Sequence, residues 1–428
     1  MNKIKNVIIV NYAGVNTGDD AIFSALLNIV RNKISKKSKI YVLADNDKVI
    51  KIKYDVDDAV RLFNYYKIHT LRKVIRFLRD AHLVIFGGGD VVNGNIKSIS
   101  FIALALILGL PVMCCGVGAI PIKSHIKRYF TRIVFNKVEL ITVRDERSKH
   151  ILESMGIIKP EVVVTSDLAF LLKPNINSNQ LEQKLNERID HDKTIIGVSV
   201  GSFDPMYAFY GSWTESKFIK DIAAVCDYMI EKYNAYIVFI PMIIRDKLTR
   251  YHIDFQADDE LSRKIMMRMK NTDDAYLIEE YFTPQDLLGI LRNMRLVIAA
   301  RLHVLLLASR VDVPVIAVDY APKIRSFMDS LDSLDYMINV KQLNRKTLQD
   351  VIDLAMMTKH QSKAGKLNSF IKEAQRNEHM IHKILDGSRR KYWQYYLFFP
   401  LLVIVVPLNY IHTAAQSIYN NVRTKRNK

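Results

Sequence analysis

An arginine and a histidine two residues apart stand where an apolar strand pattern gives way to an apolar helical pattern. They are Arg301 and His303, in the run ARLHVLLLAS that follows the strand LVIA. Ionisable groups at such a junction replace apolar residues that packing would favour, which is typical of a functional site. A guanidinium can hold a carboxylate or phosphate, and an imidazole can transfer a proton near neutral pH. The alternative is a structural histidine that is hydrogen-bonded in the core.

A second group of ionisable side chains follows the next predicted strand, Val315 to Val318. Its members are Asp319, Tyr320, Lys323 and Arg325. Since the carboxyl ends of parallel strands meet at one edge of a sheet, this group is expected to converge with Arg301 and His303. The alternative for the second group is a solvated, charged loop.

Two glycine-rich segments follow strands in the first half of the chain. They are FGGGD, with Gly87, Gly88, Gly89 and Asp90, and GVGAIP, with Gly116 and Gly118. Residues without a Cβ allow either a tight turn or close approach of the backbone to a ligand. Two such strand ends at one sheet edge indicate a ligand-binding edge more strongly than either does alone.

The first strand leads into a helix through the turn NYAGVNTGDDAI. The polar candidates here are Asn16, Gly18, Asp19 and Asp20, because helix N-termini beyond strand ends offer backbone donors to ligands. The alternative is that Asp19 caps the helix and Asp20 lies in its first turn. The spacing is not that of the dinucleotide-binding fingerprint.

The elements that must position these residues form two alternating β/α halves, which is the pattern of doubly wound parallel sheets. The polar stretch NINSNQLEQKLNERIDHDK separates them and is expected to contain a linker helix. The predicted domains are a Rossmann-like lobe over 1–185, a second Rossmann-like lobe with the R-x-H motif over 190–340, a helical extension over 341–387 and a tail over 388–428. Two such lobes with a cleft between them predict a GT-B-like arrangement.

The tail is predicted to associate with a membrane. Residues 392–422 contain no Asp, Glu, Lys or Arg, and basic clusters flank them on both sides. Basic residues at both ends and two internal prolines favour an anchor that lies in the membrane over one that spans it. The alternative is a buried C-terminal helix. The expected location is the cytoplasmic face of the cell membrane.

Composition narrows the possibilities further. The 428 residues carry a formal net charge of +18, which suits anionic partners. No nucleic-acid-binding signature accompanies this charge, so no nucleic-acid partner is expected.

The three cysteines lack paired or metal-ligand spacing and are expected to be reduced core residues in the cytosol. The apolar stretch Phe101 to Ile122 is broken by Gly109 and Pro111, which predicts a buried helix and strand.

An ordered set of motifs resembles the polysaccharide pyruvyl transferases. The set is NTGDDAI, VIFGGGD, GVGAIP, VRDERSKHILESMGI, SDLAFLL, ARLHVLLLAS and VPVIAVDYAPKI, and it covers roughly residues 6 to 335. Members of that family transfer a carboxyethylidene group from phosphoenolpyruvate to two hydroxyls of one sugar and release phosphate. The resemblance implies phosphoenolpyruvate as co-substrate, with no cofactor, and an acceptor in a free or lipid-linked glycan; no metal site is expected.

The resemblance also implies roles for individual residues. Arg301 would bind the donor and His303 would act as general acid. Lys323 or Arg325 is the candidate to replace a donor contact that this chain lacks at Gly201. The turn from Asn16 to Asp20 would contact the acceptor. Many relatives have an arginine in place of Gly201, so one expected donor contact is missing. This departure keeps open the alternative of a membrane-associated glycosyltransferase with a nucleotide-sugar donor.

Overall fold

The computed structural model describes residues 5–34, 37–64, 68–175, 180–190, 192–201, 214–245, 257–358 and 361–387. The chain divides into two compact units. The first consists of Met1–Tyr12, Leu26–Asp167 and Arg376–Lys428, and the second consists of Ala13–Ala25 and Leu168–Gln375. The predicted tail over 388–428 lies outside the described residues.

The first unit is built on a seven-stranded parallel sheet in the order β3-β2-β1-β4-β5-β6-β7. The strands are β1 Val7–Val10, β2 Ile40–Ala44, β3 Asp58–Arg61, β4 Leu83–Gly87, β5 Val112–Val117, β6 Leu140–Val143 and β7 Val162–Val164. The helices that connect them are α1 Thr17–Ile29, α2 Asp47–Lys53, α3 Ile68–Asp80, α4 Ile96–Ile107, α5 His125–Phe135 and α6 Glu146–Ser154. Strands β1, β2, β4 and β5 are buried along their whole length, as expected of a parallel sheet covered on both faces.

The second unit contains a six-stranded parallel sheet in the order β10-β9-β8-β11-β12-β13. Its strands are β8 Thr194–Ser199, β9 Ala235–Phe239, β10 Ala275–Leu277, β11 Leu296–Ala299, β12 Val315–Asp319 and β13 Met337–Asn339. The remaining helices are α7 Gln180–Asn186, α8 Glu215–Tyr233, α9 Asp258–Met266, α10 Pro284–Leu291, α11 Leu302–Arg310, α12 Pro322–Ser330, α13 Arg345–Met357 and α14 Ala364–Gly387.

The two predicted Rossmann-like lobes are therefore confirmed, and several boundaries differ from the expected ones. The first unit ends its central segment at Asp167, whereas 185 was expected. The start of α1 belongs to the second unit, and α14 from Arg376 onward belongs to the first. The expected linker helix is only the seven-residue α7. Helix α1 begins at Thr17, so Asp19 lies in the first turn and does not cap the helix.

The apolar stretch Phe101 to Ile122 forms the predicted buried helix and strand, and the cysteines lie in the core as predicted. The stretch forms the end of α4 and the buried strand β5, and all three cysteines are buried and free. Within the described part of the chain, no helix combines the length and apolar character needed to cross a bilayer.

Candidate functional site

The register of two neighbouring strands places Arg301 beside Gly201. Strands β8 and β11 pair in parallel with Ser199 opposite Ala299. Gly201 and Arg301 each lie two positions beyond these residues in the sequence. A Cβ on Gly201 would lie only 2.5 Å from Cζ and 2.6 Å from Nη2 of Arg301. The guanidinium therefore occupies the space that any side chain at position 201 would need.

Arg301 is held by a buried carboxylate, that of Asp258. Its Nε donates to Asp258 Oδ2 at 3.0 Å, and its Nη2 donates to Oδ1. Asp258 is the first residue of α9 and fully buried, and its Oδ2 also accepts from the backbone N–H of Met242 at 3.2 Å. This bidentate pair fixes one edge of the guanidinium.

Burial and pairing act in opposite directions on both members of this pair. Burial raises the pKa of the Asp258 carboxyl, and Arg301 opposes that shift. For Arg301, burial lowers the pKa, but the negative charge of Asp258 and a contact with Tyr320 outweigh it, so the pKa lies above its ordinary value. Arg301 is a permanent cation, and Asp258 balances its charge.

His303 lies in the first turn of α11 and packs against the glycine of the N-terminal turn. A Cβ on Gly18 would lie 2.7 Å from Cγ and 2.9 Å from Cβ of His303. The turn is itself fixed, because the Gly18 N–H donates to Asn16 Oδ1 at 2.9 Å and the Thr17 N–H donates to the Met242 carbonyl at 2.9 Å. The segment after β9 thus holds both the turn that covers His303 and the carboxylate that pairs with Arg301.

Gly18→Ala is expected to push the imidazole out of its position and to lower turnover at least tenfold while the protein stays folded. A 1 Å displacement of a catalytic group can cost about a hundredfold in rate. The measurement is a steady-state assay beside circular dichroism. Gly365→Ala is the matched control, because no atom lies within 4 Å of a Cβ there. Equal activity of the two variants would show that Gly18 does not position His303.

The two carboxylate oxygens of Asp20 accept hydrogen bonds from two other residues of the second unit. Oδ1 accepts from the Gly14 N–H at 2.6 Å, and Oδ2 accepts from the Tyr281 hydroxyl at 2.6 Å. Burial raises the pKa of Asp20 to about 7, against the lowering effect of these two hydrogen bonds, and the neighbouring Asp19 adds a smaller increase. These contacts make Asp20 a residue that holds the turn in place.

The raised pKa predicts that Asp20→Asn stabilises the protein more at pH 8 than at pH 5. The unfolded chain releases this proton near 3.8 and the folded chain near 7, so the folded state holds the extra proton between them. Rising pH therefore removes stability through this window, up to about 4 kcal/mol for three pKa units. Urea unfolding at both pH values measures it, with the exposed Asp273→Asn as control. A gain from Asp20→Asn that is the same at both pH values would contradict the assignment.

Of the ionisable residues at the end of β12 and after it, two form an ion pair and one lies at the start of a helix. Arg325 donates to Asp319 from Nη2 at 3.0 Å and from Nε at 3.2 Å, so Asp319 balances its charge. Lys323 is half-buried in the first turn of α12. Neither α11 nor α12 has a side-chain cap on its first backbone N–H groups. Such N–H groups beside a cation favour an anionic ligand.

The glycines of the first unit have conformational and packing roles. Gly88, Gly89 and Gly116 have φ values of 59°, 69° and 59°, a left-handed region in which glycine is favoured. A Cβ on Gly87 would overlap Cδ1 of Leu26 in α1. These observations explain the glycines as turns and close packing, and the expected contact with a ligand stays a prediction.

Gly118 and Asp90 belong to a buried ionic cluster around Arg144. The Arg144 side chain is 5% exposed and lies 2.6 Å from Asp90, 3.4 Å from Asp145 and 3.7 Å from Asp167. A Cβ on Gly118 would lie 2.6 Å from Oδ1 of Asp90. Four of the segments that carry the family resemblance thus meet at one guanidinium in the first unit.

Sequence reasoning missed Asp258, Tyr281, Arg144, Asp145 and Asp167. Arg144, Asp145 and Asp167 lie inside segments that resemble the family, but nothing in the spacing of those segments distinguishes these three residues from their neighbours. Asp258 lies 43 residues before Arg301 and begins the acidic run DDE at a helix start, which is an ordinary capping pattern. The alternation of strands and the spacing of motifs do not link Asp258 to Arg301. Nothing else in this sequence marks Asp258 as a partner of that arginine.

Comparisons with known proteins agree with this architecture. The UDP-GlcNAc 2-epimerase of Methanocaldococcus jannaschii is 15% identical, with a TM-score of 0.60 over 90% of this chain and 100% of its own. The Neisseria meningitidis UDP-GlcNAc 2-epimerase bound to UDP-GlcNAc is 13% identical, with a TM-score of 0.59 over 90% of this chain and 100% of its own. At such identities the likeness shows the fold alone.

A plant enzyme extends the same comparison. UGT73P12 of Glycyrrhiza uralensis, complexed with glycyrrhetinic acid 3-O-monoglucuronide, is 8% identical, with a TM-score of 0.52 over 99% of this chain and 100% of its own. The fold is therefore GT-B-like, with two Rossmann-like lobes.

No curated protein sequence matches the chain. The sequence model of the polysaccharide pyruvyl transferases matches residues 16–322, well over half of the chain. The chain belongs to the polysaccharide pyruvyl transferase family.

Proposed function

We infer that the protein transfers a carboxyethylidene group from phosphoenolpyruvate to two hydroxyls of one sugar in a polysaccharide or its lipid-linked precursor. The observation that carries this inference is the fixed arrangement at one strand end. Arg301 lies against Gly201 and pairs with Asp258, and His303 lies against Gly18, in a chain of this family. The arrangement supplies a permanent cation and an imidazole two residues apart.

The reaction requires protonation of the donor methylene carbon. His303 donates this proton, the methylene becomes a methyl group, and a carboxyl-bearing oxocarbenium centre forms. One sugar hydroxyl adds to that centre and its proton returns to His303. The C–O bond to the phosphate breaks and phosphate leaves. The second hydroxyl then closes the ketal, and its proton passes to the released phosphate.

The cationic residues of the site suit phosphoenolpyruvate, which carries both a carboxylate and an enol phosphate. Arg301 keeps its positive charge beside Asp258 and Tyr320, and Lys323 lies in the first turn of α12. The departing phosphate gains negative charge, so nearby cations and helix N–H groups lower the barrier to its release. Arg325 shares its charge with Asp319 and is assigned a secondary role.

On the acceptor side, Asp20 is assigned to the turn and Asp19 stays the candidate for contact with a sugar hydroxyl. Asp19 is half-buried in the first turn of α1. A glycan acceptor at the cytoplasmic face of a membrane, reached through residues 388–428, completes the proposal. The basic, apolar composition of that tail supports it.

Donor binding tests the proposal directly. Calorimetric titration of phosphoenolpyruvate into Arg301→Lys is expected to show affinity about ten- to a hundredfold weaker than wild type, because a charged hydrogen bond contributes roughly 1.5–3 kcal/mol. Arg295→Lys, an exposed arginine of the same unit, is the control. Unchanged affinity in Arg301→Lys would contradict the donor assignment. Binding of a nucleotide sugar without any binding of phosphoenolpyruvate would favour the glycosyltransferase alternative.

A further inference from the structure

The outer face of α5 combines exposed apolar side chains with basic ones. Ile126 is 66% exposed and Tyr129 is 52% exposed, three positions apart on one helical face. Exposed basic residues surround them, namely Lys123, Lys127, Arg128 and Arg132. We call these six residues the α5 patch.

The charge of this segment is of one sign. Residues 121–137 contain five Lys or Arg residues and no Asp or Glu. The Arg132 guanidinium lies 5.6 Å from the ring centroid of Tyr129, which keeps cation and aromatic ring together. A surface of this composition is complementary to a negatively charged partner.

The α5 patch is the outer face of a firmly packed helix. Thr131, Val134 and Phe135 are fully or almost fully buried beneath it. Ser124 caps the helix, accepting from the Lys127 N–H, and Arg128 donates to the Ser154 carbonyl. The apolar side chains are therefore presented by an ordered element that already has its own buried face.

One further exposed apolar residue, Ile158, lies near the end of α5. Asn136 Oδ1 accepts from the N–H groups of Ile158 and Lys159 at 3.0 and 2.9 Å, which brings these residues next to the helix end. Ile158 is 65% exposed. The combination of apolar and basic side chains thus continues beyond the helix itself.

Ile52 provides an internal comparison. It is 65% exposed, almost the same as Ile126, and lies on α2 between two lysines. There, however, Lys51 lies 3.4 Å from Asp47 and 3.8 Å from Asp58. An exposed isoleucine is therefore common to α2 and α5. The α5 patch differs from α2 because residues 121–137 contain no acidic residue.

We propose that the α5 patch docks onto an anionic lipid bilayer. Basic residues attract the anionic headgroups, while Ile126 and Tyr129 enter the boundary between headgroups and acyl chains. Nucleic acid would satisfy the cations but would leave Ile126 against water and phosphates. This contact is separate from the tail over 388–428 and lies within the folded first unit.

The position of α5 gives the docking a consequence that rests on the proposed function. The helix begins shortly after the carboxyl end of β5, beyond the turn GVGAIP. In a parallel sheet that edge is where ligands bind. Docking through α5 would hold this edge of the first unit near the acceptors that the membrane carries.

A fluorescent probe at position 126 tests the contact without any need for turnover. The full-length chain carries Ile126→Cys labelled with an NBD fluorophore, and the three native cysteines are buried. Vesicles of phosphatidylcholine with phosphatidylglycerol are expected to shift the emission to shorter wavelength, and doxyl-labelled lipid is expected to quench it. The same label at Ile52→Cys is expected to respond to neither.

Charge variants and a competing polyanion complete the test. Lys123→Gln/Lys127→Gln is expected to raise the lipid concentration for half-maximal response roughly thirtyfold, given the attraction of each basic residue to an anionic surface. Lys51→Gln/Lys53→Gln should change it less than about twofold. No shift at position 126, or a shift with single-stranded DNA but not with vesicles, would overturn the proposal. Neither result depends on the donor, so the proposed function can fail separately.

Discussion

His303→Gln is expected to lower the turnover number by about a hundredfold to ten-thousandfold, the usual contribution of a general acid. Glutamine keeps a polar side chain of similar reach but cannot deliver a proton to carbon. Gly18 packs against the His303 side chain and thereby limits where the imidazole can lie. The affinity for phosphoenolpyruvate should change much less than the turnover number, because the proton is needed in the transition state.

Phosphate release under saturating donor measures this effect, with circular dichroism as the check on folding. His150→Gln is the matched control, since that side chain is 76% exposed. The account expects wild-type rates from the control. Retention of more than about a tenth of wild-type turnover by His303→Gln would remove His303 from the role of general acid.

Asp258→Ala is expected to lower the free energy of unfolding by about 3–5 kcal/mol, because it leaves the charge of Arg301 buried without its counter-ion. The Asp258 side chain is fully buried and the Arg301 side chain is 17% exposed, so water can compensate only in part. The variant also loses the acceptor of the Met242 N–H. Donor binding should weaken together with stability, since the guanidinium is no longer fixed.

Urea unfolding of the wild type and the variant measures the loss. Asp350→Ala removes the partner of Lys346 in an exposed pair with side chains 55% and 79% exposed, and little change is expected there. The double variant Asp258→Leu/Arg301→Met should recover much of the stability and none of the activity, because no charge is then left buried. A loss below about 1 kcal/mol in Asp258→Ala would show that the pair is not the buried counter-ion arrangement described here.

The sequence allows the strands and the two strand-end residues to be predicted because both depend on local patterns. Strand β11, Leu296–Ala299, coincides with the apolar strand pattern LVIA that precedes Arg301 in the sequence. Strand β3, with the sequence DAVR, was missed because only its two central residues are apolar. Short edge strands depend on pairing with their neighbours more than on their own composition.

The partners of the candidate residues could not be predicted, because tertiary packing creates them. Asp258, at the start of α9, reaches Arg301 only because the fold brings together two residues that are 43 positions apart. Gly18 reaches His303 only because the turn pairs with the segment after β9. From the sequence alone, the absence of arginine at position 201 predicts a lost donor contact. The structure adds a physical reason for glycine there, since Arg301 fills the space of a Cβ.

Acceptor-dependent phosphate release from phosphoenolpyruvate tests the central claim most directly. Detergent-solubilised full-length protein is assayed with free and lipid-linked sugars, beside His303→Gln, and the product is examined by mass spectrometry. We expect phosphate release that requires a sugar, a product heavier by one carboxyethylidene group, and the loss of both in the variant. Transfer of a sugar from a nucleotide donor, with phosphoenolpyruvate left intact in the presence of the same acceptors, would contradict it.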